Sequence, residues 1–213
     1  MGSKILIVDD HPLFRRGLAA LVSQEYWCSG YTEAGSIEAA RTECEKALPD
    51  LVLMDLSFGS VNALSFIKEL HTRWAQLPVL VVSMHEEQMY AQRVLKAGAR
   101  GYIMKQEPPE QIIEAARTVL ANRVYLSPAL RERLVDQWMG PSSGPAGVED
   151  LSDRELEVLR LIGKGFGTQG IATALNLSVK TVETHREHVK QKLLLENAEA
   201  LRRFAIGLAD QSQ

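Results

Sequence analysis

The feature that most constrains this chain is a series of short apolar runs, each broken off by a polar or ionisable residue: "KILIVDD", "DLVLMD", "LPVLVVS" and "GYIMK". Four or five apolar residues without polar alternation fit a strand covered on both faces, which is the habit of parallel sheets. Each run is followed by a longer stretch with helical spacing: Phe14, Leu18 and Leu21, then Val61 to Trp74, Glu86 to Ala97, and Pro108 to Leu120. A mixed pattern over Trp27 to Glu33 supplies one more strand, and Ser36 is placed to cap a helix running through Cys44. Five βα units in succession predict a doubly wound α/β domain with a five-stranded parallel sheet, over residues 1–124.

A helix from Pro128 to Trp138 then reads as a connector, and "GPSSGPAGVED" (140–150) as a linker, because glycine, proline and serine remove all periodicity. Residues 125–150 thus join the first domain to a second at 151–213. There only helical patterns appear: Ser152 to Ile162, Thr168 to Ala174, Val179 to Leu193 and Ala198 to Leu208. A chain of 213 residues, 46% hydrophobic, is long enough for two modest cores. The two cysteines, Cys28 and Cys44, form neither a disulfide framework nor a CxxC pair, which suits a reducing compartment. With no apolar run near the roughly 20 residues of a membrane span, the expected location is the cytoplasm.

In doubly wound sheets, ligands bind beyond the carboxyl ends of the strands. Asp9, Asp10, Asp55, Ser83 and Lys105 all fall at such ends, bringing three carboxylates, a hydroxyl and an ammonium from four strands to one edge. Crowded carboxylates repel, and such a cluster is tolerable only with a cation or with shifted pKa values. A hard divalent ion is implied, and Mg2+ suits two carboxylates, a carbonyl, waters and a substrate phosphate oxygen. A carboxylate in that setting can accept a phosphoryl group, with Lys105 and Ser83 binding its oxygens. Asp10 has a second role open to it, capping the helix entered through Pro12.

In the second domain "GFGTQG" (165–170) matches a dinucleotide fingerprint by letter only. It follows a helical pattern rather than a strand, so it reads as a helix end and a turn. The segment "IATALNLSVKTVETHREHVKQKL" has the shape of a helix-turn-helix. On its longer helix Val182, Val189 and Leu193 form the inner face, while Lys180, Glu183, Thr184, Glu187 and Gln191 point outward toward a DNA groove. Thr181, His188, Lys190 and Lys192 flank that face within reach of phosphates. Residues 148–213 hold nine basic against ten acidic side chains; only 180–192, with four basic against Glu183 and Glu187, is locally positive.

The set "DD", "LMDL", "VVSMHEE" and "GYIMK" resembles the receiver domain of two-component response regulators. The stretches "LSDRELEVLRLIGKG" and "SVKTVETHREHVKQKL" resemble the LuxR-type helix-turn-helix, and the pair together resembles the NarL/FixJ class. That resemblance implies Asp55 as phosphoacceptor and Asp10, Asp55 and the Ser57 carbonyl as Mg2+ ligands, with Asp9 acting through water. It implies Ser83 and Tyr102 as a switch pair whose ring turns inward. It further implies a histidine kinase as phosphoryl donor, double-stranded promoter DNA as target, and a homodimer on phosphorylation, with no membrane partner. The sequence departs from the family habit in five places: the loop Phe58 to Ala63 lacks its proline, Gln106 follows the lysine where many members have a cis proline, Gly170 stands in a helix interior, His188 replaces a common asparagine, and Leu194 replaces a helix-ending glycine. An enzyme reading is disfavoured because Ser57 stands where related hydrolases carry a general acid. A cofactor-binding reading is disfavoured because the loop after the first strand is acidic where phosphate needs donors. A regulator that keeps the fold but ignores phosphate remains the alternative.

Overall fold

A computed structural model describes residues 2–56, 58, 63–84, 87–139 and 147–210, and it divides into two compact units, Met1–Asp136 and Gln137–Gln213. In the first unit, β1 (Ser3–Val8), α1 (Pro12–Ser23), β2 (Cys28–Ala34), α2 (Ile37–Lys46), β3 (Leu51–Met54), α3 (Ala63–Arg73), β4 (Val79–Ser83), α4 (Glu87–Lys96), β5 (Gly101–Met104) and α5 (Pro109–Leu120) follow one another. The strands form one parallel sheet in the order β2-β1-β3-β4-β5. The expected five-stranded doubly wound fold is present.

Burial explains which strands were plain in the sequence. β1, β3 and β4 are covered on both faces: Ile5, Ile7, Leu51, Leu53, Leu80 and Val82 pack with Leu18 and Val22 of α1 and Ile112 and Val119 of α5. The alternating residues Leu6, Val8, Val52, Met54 and Val81 are as deeply buried on the other face. β2 is an edge strand, half exposed along most of its length, so its sequence carries polar residues and its pattern is mixed. Ser36 caps α2 as expected, accepting from Ala39 N–H at 3.1 Å. Asp10 does not cap α1: the N-cap position is His11, with Pro12 at the first helical residue and no side-chain cap.

The chain leaves α5 through Asn122 and returns along β5. Tyr125 forms a parallel bridge to Gly101, donating its N–H to Arg100 O at 3.0 Å and accepting from Tyr102 N–H at 3.2 Å. Only glycine fits at 101, since an added Cβ would lie 2.9 Å from Val119 Cγ2 and 3.0 Å from both Leu80 Cδ1 and Tyr125 O. The expected connector helix follows as α6 (Pro128–Met139).

The second unit contains a short 3-10 turn (Val148–Asp150), α7 (Asp153–Gly163), α8 (Thr168–Leu175), α9 (Val179–Lys192) and α10 (Ala198–Asp210). These are the four expected helices, with ends displaced by one or two residues. Leu156, Leu159 and Ile162 of α7, Ile171 and Leu175 of α8, Val182 and Val189 of α9, and Leu201 and Ala205 of α10 are among its buried apolar residues. α10 packs on α7. The apparent nucleotide fingerprint is a helix stop: Gly165 takes φ +84°, Phe166 N–H donates to Leu161 O at 2.9 Å, and Gly167 opens α8.

Replacing Gly101 with alanine forces the Tyr125 strand, Val119 or Leu80 to move. The expected cost is about 1–3 kcal/mol, read as a lowered urea midpoint of the first unit.

Candidate functional site

The acidic site is built by backbone ladders that run one residue past the strand ends. Asp9 N–H donates to Ala34 O at 3.1 Å, Asp55 N–H to Val8 O at 2.9 Å, and Lys105 N–H to Ser83 O at 2.8 Å. β1 and β3 are neighbours in the sheet, with Val8 opposite Met54, so Asp9 and Asp55 stand side by side. The chain passes from β1 out to β2 and then back across to β3 on the other side of β1, which makes this end the switch point where doubly wound sheets bind ligands.

Asp9 and Asp55 are 3% and 2% exposed, Ser83 is fully buried and Lys105 is 9% exposed. The ammonium of Lys105 sits 2.6 Å from Asp9 Oδ2 and 2.9 Å from Asp55 Oδ2, and 4.4 Å above the ring of Phe14. Two buried carboxylates are therefore joined by one buried cation, which offsets much of their repulsion. Asp10 is more exposed and binds His11 Nδ1 at 2.7 Å. His11 also reaches Asp9 Oδ1 at 3.5 Å through its ring, and its N–H donates to the same oxygen at 2.7 Å. Sequence reading passed over His11; its place directly after the paired aspartates was the available signal.

Ligand atoms of Asp9, Asp10, His11 and Asp55 lie within 4.8 Å of one another, an acidic cluster able to hold a divalent cation. Three carboxylates with one side open through Asp10 are the donor set of a hard, oxygen-binding ion, so the residues fit the expected group. Ser57 and the loop at 59–62 lie outside the described residues. Tyr102 is fully buried, so its ring points inward. Burial pushes its hydroxyl far above the usual tyrosine range, against the opposing effect of a hydrogen bond with Ser83. The two residues named as a switch pair are in direct contact.

In the second unit α8 turns into α9 through Asn176, which adopts the left-handed conformation (φ 52°, ψ 49°) that asparagine tolerates. Ser178 caps α9, accepting from Thr181 N–H at 3.0 Å. Val182 and Val189 are buried, whereas Lys180, Glu183, Thr184, Glu187 and Gln191 are exposed along the opposite face, as the spacing implied. Lys190 pairs with Glu187 at 2.8 Å. Two flanking residues reach from the surface toward a buried carboxylate instead. Lys192 pairs with the buried Glu155 at 2.7 Å and His188 faces the same carboxylate at 3.4 Å. Burial raises the Glu155 carboxyl, but hydrogen bonds from Lys192 and Ser152 outweigh it and hold the group below the usual range. Burial lowers His185 below the ordinary histidine range.

Leu194, where the family habit is glycine, takes φ +54° and is 74% exposed. Leu195 N–H closes the turn onto Lys190 O at 2.8 Å. A leucine in this region costs about 1–2 kcal/mol. Substituting Leu194→Gly is expected to raise the stability of the second unit by about 1 kcal/mol, the strain relief exceeding the added chain entropy, read by chemical denaturation.

The comparisons with known proteins agree with this geometry. The family model for the response regulator receiver domain matches residues 5–117, and that for bacterial regulatory proteins of the luxR family matches 149–205. The oxygen regulatory protein NreC of Staphylococcus carnosus (strain TM300) is 35% identical over 210 residues, covering 95% of this chain and 96% of NreC. The transcriptional activator protein ExaE of Pseudomonas putida is 36% identical over 203 residues, covering 95% of each chain. Among solved structures, RcsB of Salmonella enterica serovar Typhimurium, bound to promoter P1flhDC in the presence of phosphomimetic BeF3-, superposes with a TM-score of 0.67 at 26% identity, covering 96% of this chain and 98% of RcsB.

Proposed function

This chain belongs to the response regulators that join a receiver domain to a luxR-family DNA-binding domain, and on that premise we propose that Asp55 is the phosphoacceptor through which a histidine kinase controls its binding to promoter DNA. The observation that carries the proposal is Asp55 itself, a buried carboxylate at the β1/β3 switch point paired with Lys105. One carboxylate oxygen of Asp55 attacks phosphorus, the P–N bond to the donor's imidazole breaks, and the imidazole leaves with its bonding pair and takes a proton. Asp9, Asp10 and Asp55 are the residues that would hold Mg2+, which when bound lowers the negative charge around the transferring group.

After transfer, Lys105 exchanges an oxygen of Asp55 for an oxygen of the phosphoryl group, keeping its bond to Asp9. The Ser83 hydroxyl donates its proton to another phosphoryl oxygen, and the Tyr102 hydroxyl can then donate to Ser83. The chemistry stops at this one residue, so the chain is proposed as a regulator and not an enzyme acting on external substrates. Among the described residues no helix is long and apolar enough to cross a membrane, which supports a cytoplasmic site of action. A homodimer on paired half-sites is the expected DNA-bound form, with Lys180, Glu183, Thr184, Glu187 and Gln191 facing the groove and Thr181 and Lys190 beside it.

The first unit also holds a mechanical route from the switch pair to the connector. Tyr102 shares its backbone N–H with Tyr125, and the Glu87 carboxylate at the start of α4 accepts from Ser127 N–H at 3.0 Å and from the Ser127 hydroxyl. Ser127 in turn accepts from Leu130 N–H at 3.2 Å, capping α6. A shift of β5 or α4 is thereby felt at the connector.

Incubation with acetyl phosphate and Mg2+ is expected to add one phosphoryl group by intact mass, absent in Asp55→Asn, with tighter binding to its promoter DNA. No mass gain by the folded protein would favour the phosphate-independent alternative. Glu87→Gln is expected to leave the mass gain intact while reducing the phosphorylation-dependent change in DNA affinity, measured by fluorescence anisotropy.

A further inference from the structure

A second cluster of metal-ligating side chains lies away from the acidic pocket, in the DNA-binding unit. Glu155 on α7 and His185 and His188 on α9 bring a carboxylate oxygen and two ring nitrogens within 4.8 Å of one another. The histidines are three residues apart on one helix, so their rings rise from one face, the side turned to α7.

Three details separate this cluster from an ordinary ion pair. Glu155 Oε1 and His188 Nδ1 are 3.4 Å apart. That is long for a hydrogen bond, yet it is the separation two donors adopt on a tetrahedral cation with bonds of about 2.0–2.1 Å. The other oxygen, Oε2, is already satisfied by Ser152 N–H and the Lys192 ammonium, each at 2.7 Å, which leaves Oε1 for the cluster. Lastly, His185 Nδ1 is buried with no hydrogen-bond partner among the described residues, a costly condition for a ring nitrogen unless its lone pair or proton is engaged.

We propose that Glu155, His185 and His188 form a binding site for a divalent cation of the Zn2+ class that ties the recognition helix α9 to α7. Two imidazoles and one carboxylate are the ligand set of zinc sites that keep a fourth position for water. Imidazole donors select such a cation over Mg2+, which the oxygen-rich receiver pocket suits instead. Two cations oppose an ion here: the Lys192 ammonium, held outside the cluster by Glu155 Oε2 at 2.7 Å and Asp150 O at 3.2 Å, and Arg154 on α7, whose guanidinium is paired with Glu157 at 2.6 Å. An ion bound at this place links two helices of the bundle, so the loaded protein resists heat better than the metal-free one.

Titration of the full-length protein with Co2+, in excess Mg2+ to fill the oxygen-rich pocket, tests the proposal. A four-coordinate site with two imidazoles gives intense visible bands, whereas six oxygen ligands give weak ones. The expected result is a saturable intense spectrum that Zn2+ displaces, with apparent affinity reduced by about tenfold or more in both His188→Asn and His185→Gln. His188 is exposed, so its loss of signal with unchanged circular dichroism is not misfolding. His11→Asn serves as the control that assigns the bands. Absence of intense bands from the folded wild type overturns the proposal, as does their survival in His188→Asn or their disappearance in His11→Asn, which would move the ion to the receiver pocket.

Discussion

Two buried carboxylates held by a single buried ammonium are the interaction on which the first unit turns. Removing one partner of such a group commonly costs several kcal/mol because the others stay buried and charged, so Asp9, Asp55 and Lys105 are better regarded as one element than as three residues. In the proposed function that element also carries the chemistry. A phosphoryl group on Asp55 brings new oxygens to the place where Lys105 now bridges two carboxylates, and the ammonium must redistribute its bonds. The structure stores its response in the partner that has most to lose when the charge at Asp55 changes.

A path for the proposed response is present because the polypeptide after α5 does not leave the sheet at once. It lies along β5 as a short parallel strand, made possible by Gly101, and is then fastened to α4 through Glu87 and Ser127. Tyr102 belongs to both ends of this path. Its hydroxyl meets Ser83 beside the acidic pocket, while its backbone N–H meets the strand that leads to the connector helix.

In the second unit the comparable junction is Glu155. It closes the capping box of α7 with Ser152, pairs with Lys192 and faces His188. One carboxylate therefore opens one helix and fixes the end of another. The outward residues of α9 are left free of this network, which suits a rigid helix that presents its exposed face to a groove.

Much of this was legible in the sequence because the relevant forces are local. Apolar runs ending in ionisable residues imply buried parallel strands with chemistry at their tips. Serine before a helical pattern implies a cap, as read at Ser36, and Ser152 and Ser178 cap α7 and α9 by the same local rule although the sequence pattern alone placed Ser152 inside its helix. Leucine in place of glycine at 194 signalled an unusual helix end, and the chain there does adopt a positive φ. What the sequence could not supply is the pairing of side chains distant in the chain. Nothing local distinguishes Lys192 and His188, turned toward Glu155, from neighbours that face solvent. The partner of Lys105 depends on strand order, and that of Glu87 on where the connector returns. Periodicity and capping are written residue by residue, so the sequence by itself determined the elements and the candidate site. Ion pairs between residues tens of positions apart exist only after the sheet order and helix packing are set, so the tertiary structure alone decided who answers to whom.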